Sequence, residues 1–322
     1  MTGTRQPPAI LVAGPTASGK SALALDLAER VGGVVINADS MQVYRELRVI
    51  TARPTDADLA RVPHELYGVR PAAEAGTAAW WRGAALAAMD RAWQAGRVPI
   101  LCGGTGLYFA ALTEGLAEVP PVPAVARAEA RRLLAEEGPA ALHARLAALD
   151  PETAATLRPS DSQRIARAYE VATGTGQGLR AWQKAGGTGP APFDFAGVVL
   201  DPPRDALRAA IAARWDMMLR EGAIEEVRAL GEQHLNPALP AMRAHGVPEL
   251  LAHLAGRMTL EEASKRAILN TGQYTKRQAT WFRHHDLAGP ARTRRFAARW
   301  ANNTQDSESL LEYFALFLGK AR

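Results

Sequence analysis

A single cysteine, Cys102, stands among 322 residues, so no intramolecular disulfide can form, and no Cys and His cluster has the spacing of a zinc site. That shortage points to a reducing, cytoplasmic setting. Long apolar runs are missing as well. The longest uncharged stretch, Val98 to Thr113, is shorter than the roughly 20 apolar residues of a membrane span, and Gly103, Gly104 and Gly106 interrupt it. Met1 to Pro8 carry one arginine and no extended apolar core, unlike a secretory signal. Charge of one sign is also scarce: 38 Lys and Arg against 33 Asp and Glu leave +5, a hint of an anionic partner that demonstrates none. What remains is ordinary globular material. Hydrophobic residues make up 48% and charged residues 22%, enough apolar mass for a core and too much for global disorder. The length fits two domains of ~100 to 200 residues, or one domain with a large insert.

Four short apolar runs bounded by turn residues are predicted strands: Ile10 to Ala13, Val34 to Ala38, Pro99 to Cys102 and Val198 to Leu200. Alanine- and leucine-rich helical patterns alternate with them, as in a parallel sheet covered on both faces, which sets the class as α/β. The alternation stops between Leu116 and Phe195. Amphipathic helical patterns take over at Ala124 to Glu136, Pro139 to Leu149 and Ser160 to Thr173, with a proline-punctuated entry at Val119 to Pro123 and a flexible exit at Gly186 to Pro192. The expected organisation is a core of residues 1–118 and 197–290, an all-helical insertion at 119–196, and a tail at 291–322 whose pattern is ambiguous. From Arg204 to about His285 the core reads as helical.

Gly14-Pro15-Thr16-Ala17-Ser18-Gly19-Lys20-Ser21 has the spacing G-x-x-x-x-G-K-[ST], with a strand before it and a helical pattern after it. Such a P-loop winds so that backbone N–H groups and the positive end of the helix face phosphate oxygens. Gly14, Thr16, Ala17, Ser18, Gly19, Lys20 and Ser21 are therefore the candidate diphosphate-binding residues. Lys20 adds a point charge, and the Ser21 hydroxyl is the candidate Mg²⁺ ligand. The motif specifies a diphosphate or triphosphate group, not the reaction performed on it. The third strand ends in Cys102-Gly103-Gly104, without the acidic residue of a Walker B strand. Asp201 could orient magnesium, or simply terminate a turn before Pro202-Pro203, and both readings stay open.

Asp39 follows the second strand. In an open α/β sheet ligands bind outside the carboxyl ends of the strands, so Asp39 is expected to face the phosphate cradle as a general base. Asp39-Ser40 would also suit a helix cap. Gln42 has the donors and acceptors of an adenine edge reader. A second glycine-rich loop, Gly103-Gly104-Thr105-Gly106-Leu107-Tyr108, offers the Thr105 hydroxyl to a phosphate oxygen.

These segments are followed by Asp161-Ser162-Gln163-Arg164 and Lys276-Arg277-Gln278-Ala279-Thr280-Trp281-Phe282-Arg283, and Thr51-Ala52-Arg53-Pro54-Thr55 lies between the first loops. In that order the set resembles the bacterial tRNA dimethylallyltransferases, also called tRNA isopentenyltransferases, from about Ile10 to Arg283. The resemblance implies a P-loop NTPase-like parallel sheet flanked by helices, with an inserted all-helical subdomain. It implies a transferase that moves a dimethylallyl group from dimethylallyl diphosphate to the exocyclic amine of the adenosine 3′ of the anticodon. Asp39 would be the base, Thr105 would contact the bridging oxygen, and Arg214 would add a cation on the diphosphate. Ser40, Met41 and Gln42 would line the adenine pocket. Arg127, Gln163, Arg164, Arg167, Lys276, Arg277 and Arg283 would contact the tRNA anticodon stem-loop, with Mg²⁺ as cofactor; a partner the size of tRNA favours a monomer, with the oligomeric state otherwise open. The chain departs from the family pattern at Gly272, where many relatives have arginine, and at Arg53, Glu65 and Val247. A P-loop small-molecule kinase would explain the cradle but not the arginines of the insertion, and a nucleotide-dependent RNA-binding module would need no base.

Overall fold

In the computed structural model, which describes residues 6–300 and 305–321, the strands form one parallel sheet. The sequence readings at residues 1–5, 301–304 and 322 lie outside the described residues. The strands are β1 (Pro8–Ala13), β2 (Gly33–Asn37), β3 (His64–Glu65), β4 (Val98–Gly103), β5 (Asp194–Leu200) and β6 (Thr293–Phe296), in spatial order β3-β2-β4-β1-β5-β6. The register places Ala13 beside Gly103 and Val199, and Asn37 beside Cys102. The carboxyl ends of β1, β2 and β4 therefore open onto one edge, with β1 between β4 and β5, the place where such sheets bind ligands.

Two compact units make up the chain: Met1–Thr113 with Ala191–Arg322, and Glu114–Pro190. The insertion thus spans 114–190 rather than the expected 119–196. Ala191, Phe193 and Phe195 are buried in the apolar layer of the first unit, and Asp194 already pairs in β5, so burial draws this segment into the core.

In the first unit, the sheet alternates between two apolar faces. Leu11, Ala13, Val34, Ile36 and Leu101 point to one side, and Ile10, Val12, Val35, Ile100 and Cys102 to the other. α1 (Lys20–Val31) covers the second face with Leu23 and Leu27. α2 (Asp56–Arg61) is a short exposed turn. On the first face, α3 (Ala78–Gln94) brings Trp81, Ala85 and Met89, and α4 (Gly106–Thr113) brings Phe109 and Leu112. Each fully buried Leu or Ile here is worth roughly 1.5–3 kcal/mol.

The second unit holds α5 (Ala124–Leu149), α6 (Pro151–Ala154), α7 (Ser162–Thr175) and α8 (Leu179–Lys184). Gly138, at φ 80 and ψ 173, breaks α5 just before Pro139, giving the two helical segments expected from the sequence. Ala130, Leu133, Leu142, Leu146, Ile165 and Tyr169 form its own core. Asp161 caps α7, accepting from Arg164 N. The first unit then continues with α9 (Arg204–Arg220), α10 (Ala223–Gly231), α11 (Val247–Leu254), α12 (Leu260–Arg283) and α13 (Gln305–Ala321). The ambiguous tail becomes edge strand β6 and α13, whose Leu310, Phe314 and Leu318 pack into the α1 face.

Candidate active site

Three loops meet above the sheet edge. The first runs from Gly14 to Gly19. Ala17 and Gly19 both take left-handed backbone conformations, at φ 68 and φ 89, and α1 begins at Lys20 with no side chain capping it and no acid in its first turn. By contrast α2, α3, α7 and α12 are capped by Thr55, Thr77, Asp161 and Thr259. The start of α1 therefore keeps amide donors and positive dipole without a protein acceptor, as an anion site requires. Ser18 is fully buried, and its Oγ has no hydrogen-bond partner.

The second loop is held by Asn37, a fully buried polar residue at the end of apolar β2. Its Nδ2 donates to the Asp39 and Leu66 carbonyls at 3.0 and 3.1 Å, and its Oδ1 accepts from Asp39 N at 2.8 Å. Asp39 Oδ1 accepts from Met41 N at 2.9 Å, so one carboxylate oxygen fixes the turn while Oδ2 has no partner among the described residues. Asn37 was not singled out from sequence; a lone amide closing Val34-Val35-Ile36 was the available signal.

The third loop follows β4. Thr105 Oγ1 accepts from Ser40 N at 2.9 Å and donates toward Ser40 Oγ at 3.3 Å, stitching the second and third loops together. Gln278, buried on α12, ties the third loop to the first. Its Oε1 accepts from Thr16 N at 2.9 Å, and its Nε2 donates to the Gly104 carbonyl at 2.9 Å. A side chain at Gly104 would collide with that amide, which is why glycine stands there. Sequence reading placed Gln278 in a motif without giving it this role.

Cations surround the cradle. Lys20 Nζ lies 3.4 Å from the Pro15 carbonyl. Burial lowers its pKa, Asp39 and Cys102 oppose that shift, and Arg214 adds to it. Arg214, on α9, has neither an ion pair nor a hydrogen bond among the described residues, and its pKa is lowered by burial first and by Arg299 second. Burial lifts the Cys102 thiol to about 11. Tyr274 is pushed up to about 12 by burial and then by Asp39, and its ring lies 4.8 Å from that of His245. Burial lowers the His245 pKa, against the pull of Glu249 and Asp39. His245 is a second group near Asp39 that the sequence reading missed.

Several expected site residues are already engaged. Thr16 N and Oγ1 both approach Gln278 Oε1, so Thr16 anchors the loop and does not present its N–H to the cradle. Gln42 Nε2 donates to the Thr51 and Ala52 carbonyls, both at 2.9 Å, which leaves only its Oε1 for a base edge. Asp201 pairs with Arg283 through two contacts at 2.9 and 3.1 Å, so its carboxylate is not turned to the cradle and the Arg283 fork is occupied. Ser21 is exposed at the first turn of α1, Ser40 and Met41 are half-buried, and Lys276 and Arg277 are exposed on α12 with no side-chain partner among the described residues.

In the helical unit, Arg127, Gln163, Arg164 and Arg167 are all exposed. Arg164 lies 3.7 Å from Asp161, and Arg167 pairs with Glu170 at 2.6 Å. Arg132 and Arg145 pair with Glu129, Glu136 and Glu137. Arg127, Arg131 and Arg158 have no acidic partner among the described residues, so the free positive field of this unit is smaller than its arginine count suggests.

Among the described residues no group of three or more His, Cys, Asp or Glu is arranged to hold a metal, and no helix is long and apolar enough to cross a membrane. A sequence profile described as IPP transferase matches residues 42–285, and one described as Isopentenyl transferase matches residues 8–74. The tRNA dimethylallyltransferase of Gluconacetobacter diazotrophicus is 60% identical over 304 residues, covering 94% of this chain and 92% of the relative. That of Granulibacter bethesdensis is 60% identical over 300 residues, 93% of this chain and 94% of the relative. Among solved structures, the tRNA isopentenylpyrophosphate transferase of Bacillus halodurans superposes with a TM-score of 0.70 at 30% identity over 98% of both chains. A eukaryotic dimethylallyltransferase caught acting on tRNA gives 0.72 at 26% identity, over 86% of this chain and 70% of that one. With its phosphate loop and matches spanning nearly its whole length, the chain belongs to the tRNA dimethylallyltransferase family.

Proposed function

We propose that the protein joins the dimethylallyl group of dimethylallyl diphosphate to the exocyclic amine of the adenosine 3′ of a tRNA anticodon. The reading is supported by the Asp39 carboxylate, which keeps one oxygen unengaged and acts on the Lys20 charge of the phosphate loop, while Asp201 is paired with Arg283. In the reaction, the amine nitrogen bonds to the allylic carbon while the bond from that carbon to the bridging oxygen breaks. The diphosphate keeps the electron pair, and the amine proton passes to Asp39. An adenine amine is a weak nucleophile because its lone pair is delocalised into the ring, so removing the proton as the bond forms is what the base contributes.

Lys20, Arg214 and the amides of the first loop would receive the growing charge of the leaving group, and the Thr105 hydroxyl would turn from Ser40 to the bridging oxygen. Ser21 alone is a sparse oxygen donor of the kind that suits Mg²⁺, an ion that keeps several waters and shares substrate phosphates. Bound there, Mg²⁺ would neutralise diphosphate charge. The family resemblance extends only this far for the metal, and Ser21 is its proposed protein ligand.

Ser40, Met41 and Gln42 would surround the target base, Gln42 offering its Oε1 to the amine. A base stacked in an anticodon loop is out of reach of a recessed carboxylate, so it must be flipped out at a cost of a few kcal/mol. Lys276 and Arg277 on the core, and Arg127, Gln163, Arg164 and Arg167 on the helical unit, would grip tRNA phosphates. We take the enzyme to work as a monomer in the cytoplasm. The test is incubation with labelled dimethylallyl diphosphate and unmodified tRNA, followed by nucleoside analysis, with labelled ATP as the parallel donor. Dimethylallyladenosine from the first arm is expected. Unaltered tRNA, together with a phosphorylated product from the second, would replace this reading with a kinase.

A further inference from the structure

Arg299 and Trp300 return from the far end of the chain to the phosphate loop. Trp300 N donates to the Ser18 carbonyl at 3.0 Å, and the Trp300 carbonyl lies 2.8 Å from where a side chain on Gly19 would begin. The indole Nε1 donates to Asp26 Oδ2 at 2.8 Å, and the ring is buried in the apolar layer of Leu23, Leu27 and Phe314. This anchor fixes the residue before it. Arg299 Nε donates to the Ala17 carbonyl at 2.8 Å, inside the strained part of the loop.

Nε accounts for one of the five guanidinium donors of Arg299, and the two Nη groups have no partner among the described residues. Arg214 also lacks an acidic or hydrogen-bonding partner, and Arg299 is the neighbouring like charge that it feels. An anion held by both guanidiniums would offset that like-charge repulsion. The loop they border leads into the helix start that no side chain caps.

We infer that Arg299 is a further diphosphate-binding residue, whose Nη groups hold the same diphosphate as Lys20 and Arg214. The inference rests on the donor reading above. The plainer role for Arg299 is a brace on the loop through Nε alone, and chemistry separates the two. In Arg299→Gln the amide Nε2 stands at the same number of bonds from Cα as the arginine Nε, so the Ala17 bond survives while the charge and the Nη groups are lost. Arg299→Lys keeps the charge and loses the fork.

The experiment titrates the full chain with inorganic diphosphate in the presence of Mg²⁺ at fixed ionic strength, beside thermal midpoints and tRNA affinity. Arg299→Gln is expected to weaken diphosphate binding roughly tenfold or more, with Arg299→Lys in between and with midpoint and tRNA affinity as in the unsubstituted protein. Diphosphate affinity unchanged in Arg299→Gln overturns the inference, as does a loss confined to tRNA affinity. Inorganic diphosphate reads Arg299 without any prenyl transfer. An unsubstituted protein that binds diphosphate but modifies no tRNA refutes the donor reading alone.

Discussion

Replacing Asp39 by asparagine is the sharpest test of the chemistry, because the structure confines the change to basicity. Oδ1 accepts from Met41 N in the native turn, and the asparagine oxygen can take that place. The surrounding frame, Asn37 to the Asp39 backbone and Ser40 N to Thr105, does not involve the lost oxygen. Geometry should survive while the proton acceptor disappears. General-base catalysis contributes typically ~10²–10⁴-fold, equivalent to about 2.7–5.5 kcal/mol of barrier. We expect kcat to fall by that factor while tRNA affinity changes little. The pH profile gives an independent reading. Asp39 raises the pKa of Lys20 against the burial that lowers it. Removing the carboxylate therefore drops the Lys20 pKa further, and the alkaline limb of kcat/KM should move to lower pH. The assay is steady-state transfer of labelled dimethylallyl across the pH range, with inorganic diphosphate inhibition as a check on the cradle. A variant within tenfold of the native rate, or an alkaline limb that moves upward, would refute the assignment.

Gln278→Leu strands the Thr16 N–H and the Gly104 carbonyl in a buried setting. At roughly 1–3 kcal/mol for each lost partner, stability should fall by ~2–6 kcal/mol in urea unfolding, and the KM for the allylic donor should rise. Lys276→Ala and Arg277→Ala should each weaken tRNA association and lower the slope of log affinity against log salt by about 1, measured by filter binding. The Cys102 thiol, buried and lifted to about 11, should resist alkylation at pH 8 in the folded chain and react promptly once the chain is unfolded, as mass spectrometry can follow.

What the sequence disclosed follows from how each feature is encoded. The central strands were readable because β1, β4 and β5 are buried on both faces and must be apolar runs. His64–Glu65 in β3 and Thr293–Phe296 in β6 escaped, since edge strands have solvent on one side and need no such run; Arg294 and Arg295 fell in the tail whose pattern was ambiguous. The break in α5 was visible because glycine followed by proline is a local signal. In the site, the phosphate loop was legible from its glycines and lysine, whose spacing is set by the backbone path itself. The parts that were not legible depend on distant partners: Gln278 meets Thr16 across 262 positions, and Arg299 meets Ala17 across 282. The engagement of Thr16 and Asp201 was hidden for the same reason, whereas Gln42 turns to the nearby Thr51 and Ala52 carbonyls along a loop path that no periodicity encodes.

The unfinished start of α1 has a thermodynamic consequence. Helices α2, α3, α7 and α12 close their first turn with a threonine or aspartate of their own, whereas α1, entered through the phosphate loop, leaves the task to whatever sits on Lys20. The ligand is then a missing piece of secondary structure, and folding and occupancy share one equilibrium. Such a molecule holds part of its rigidity in reserve, tightening its phosphate loop as the donor concentration rises past its dissociation constant.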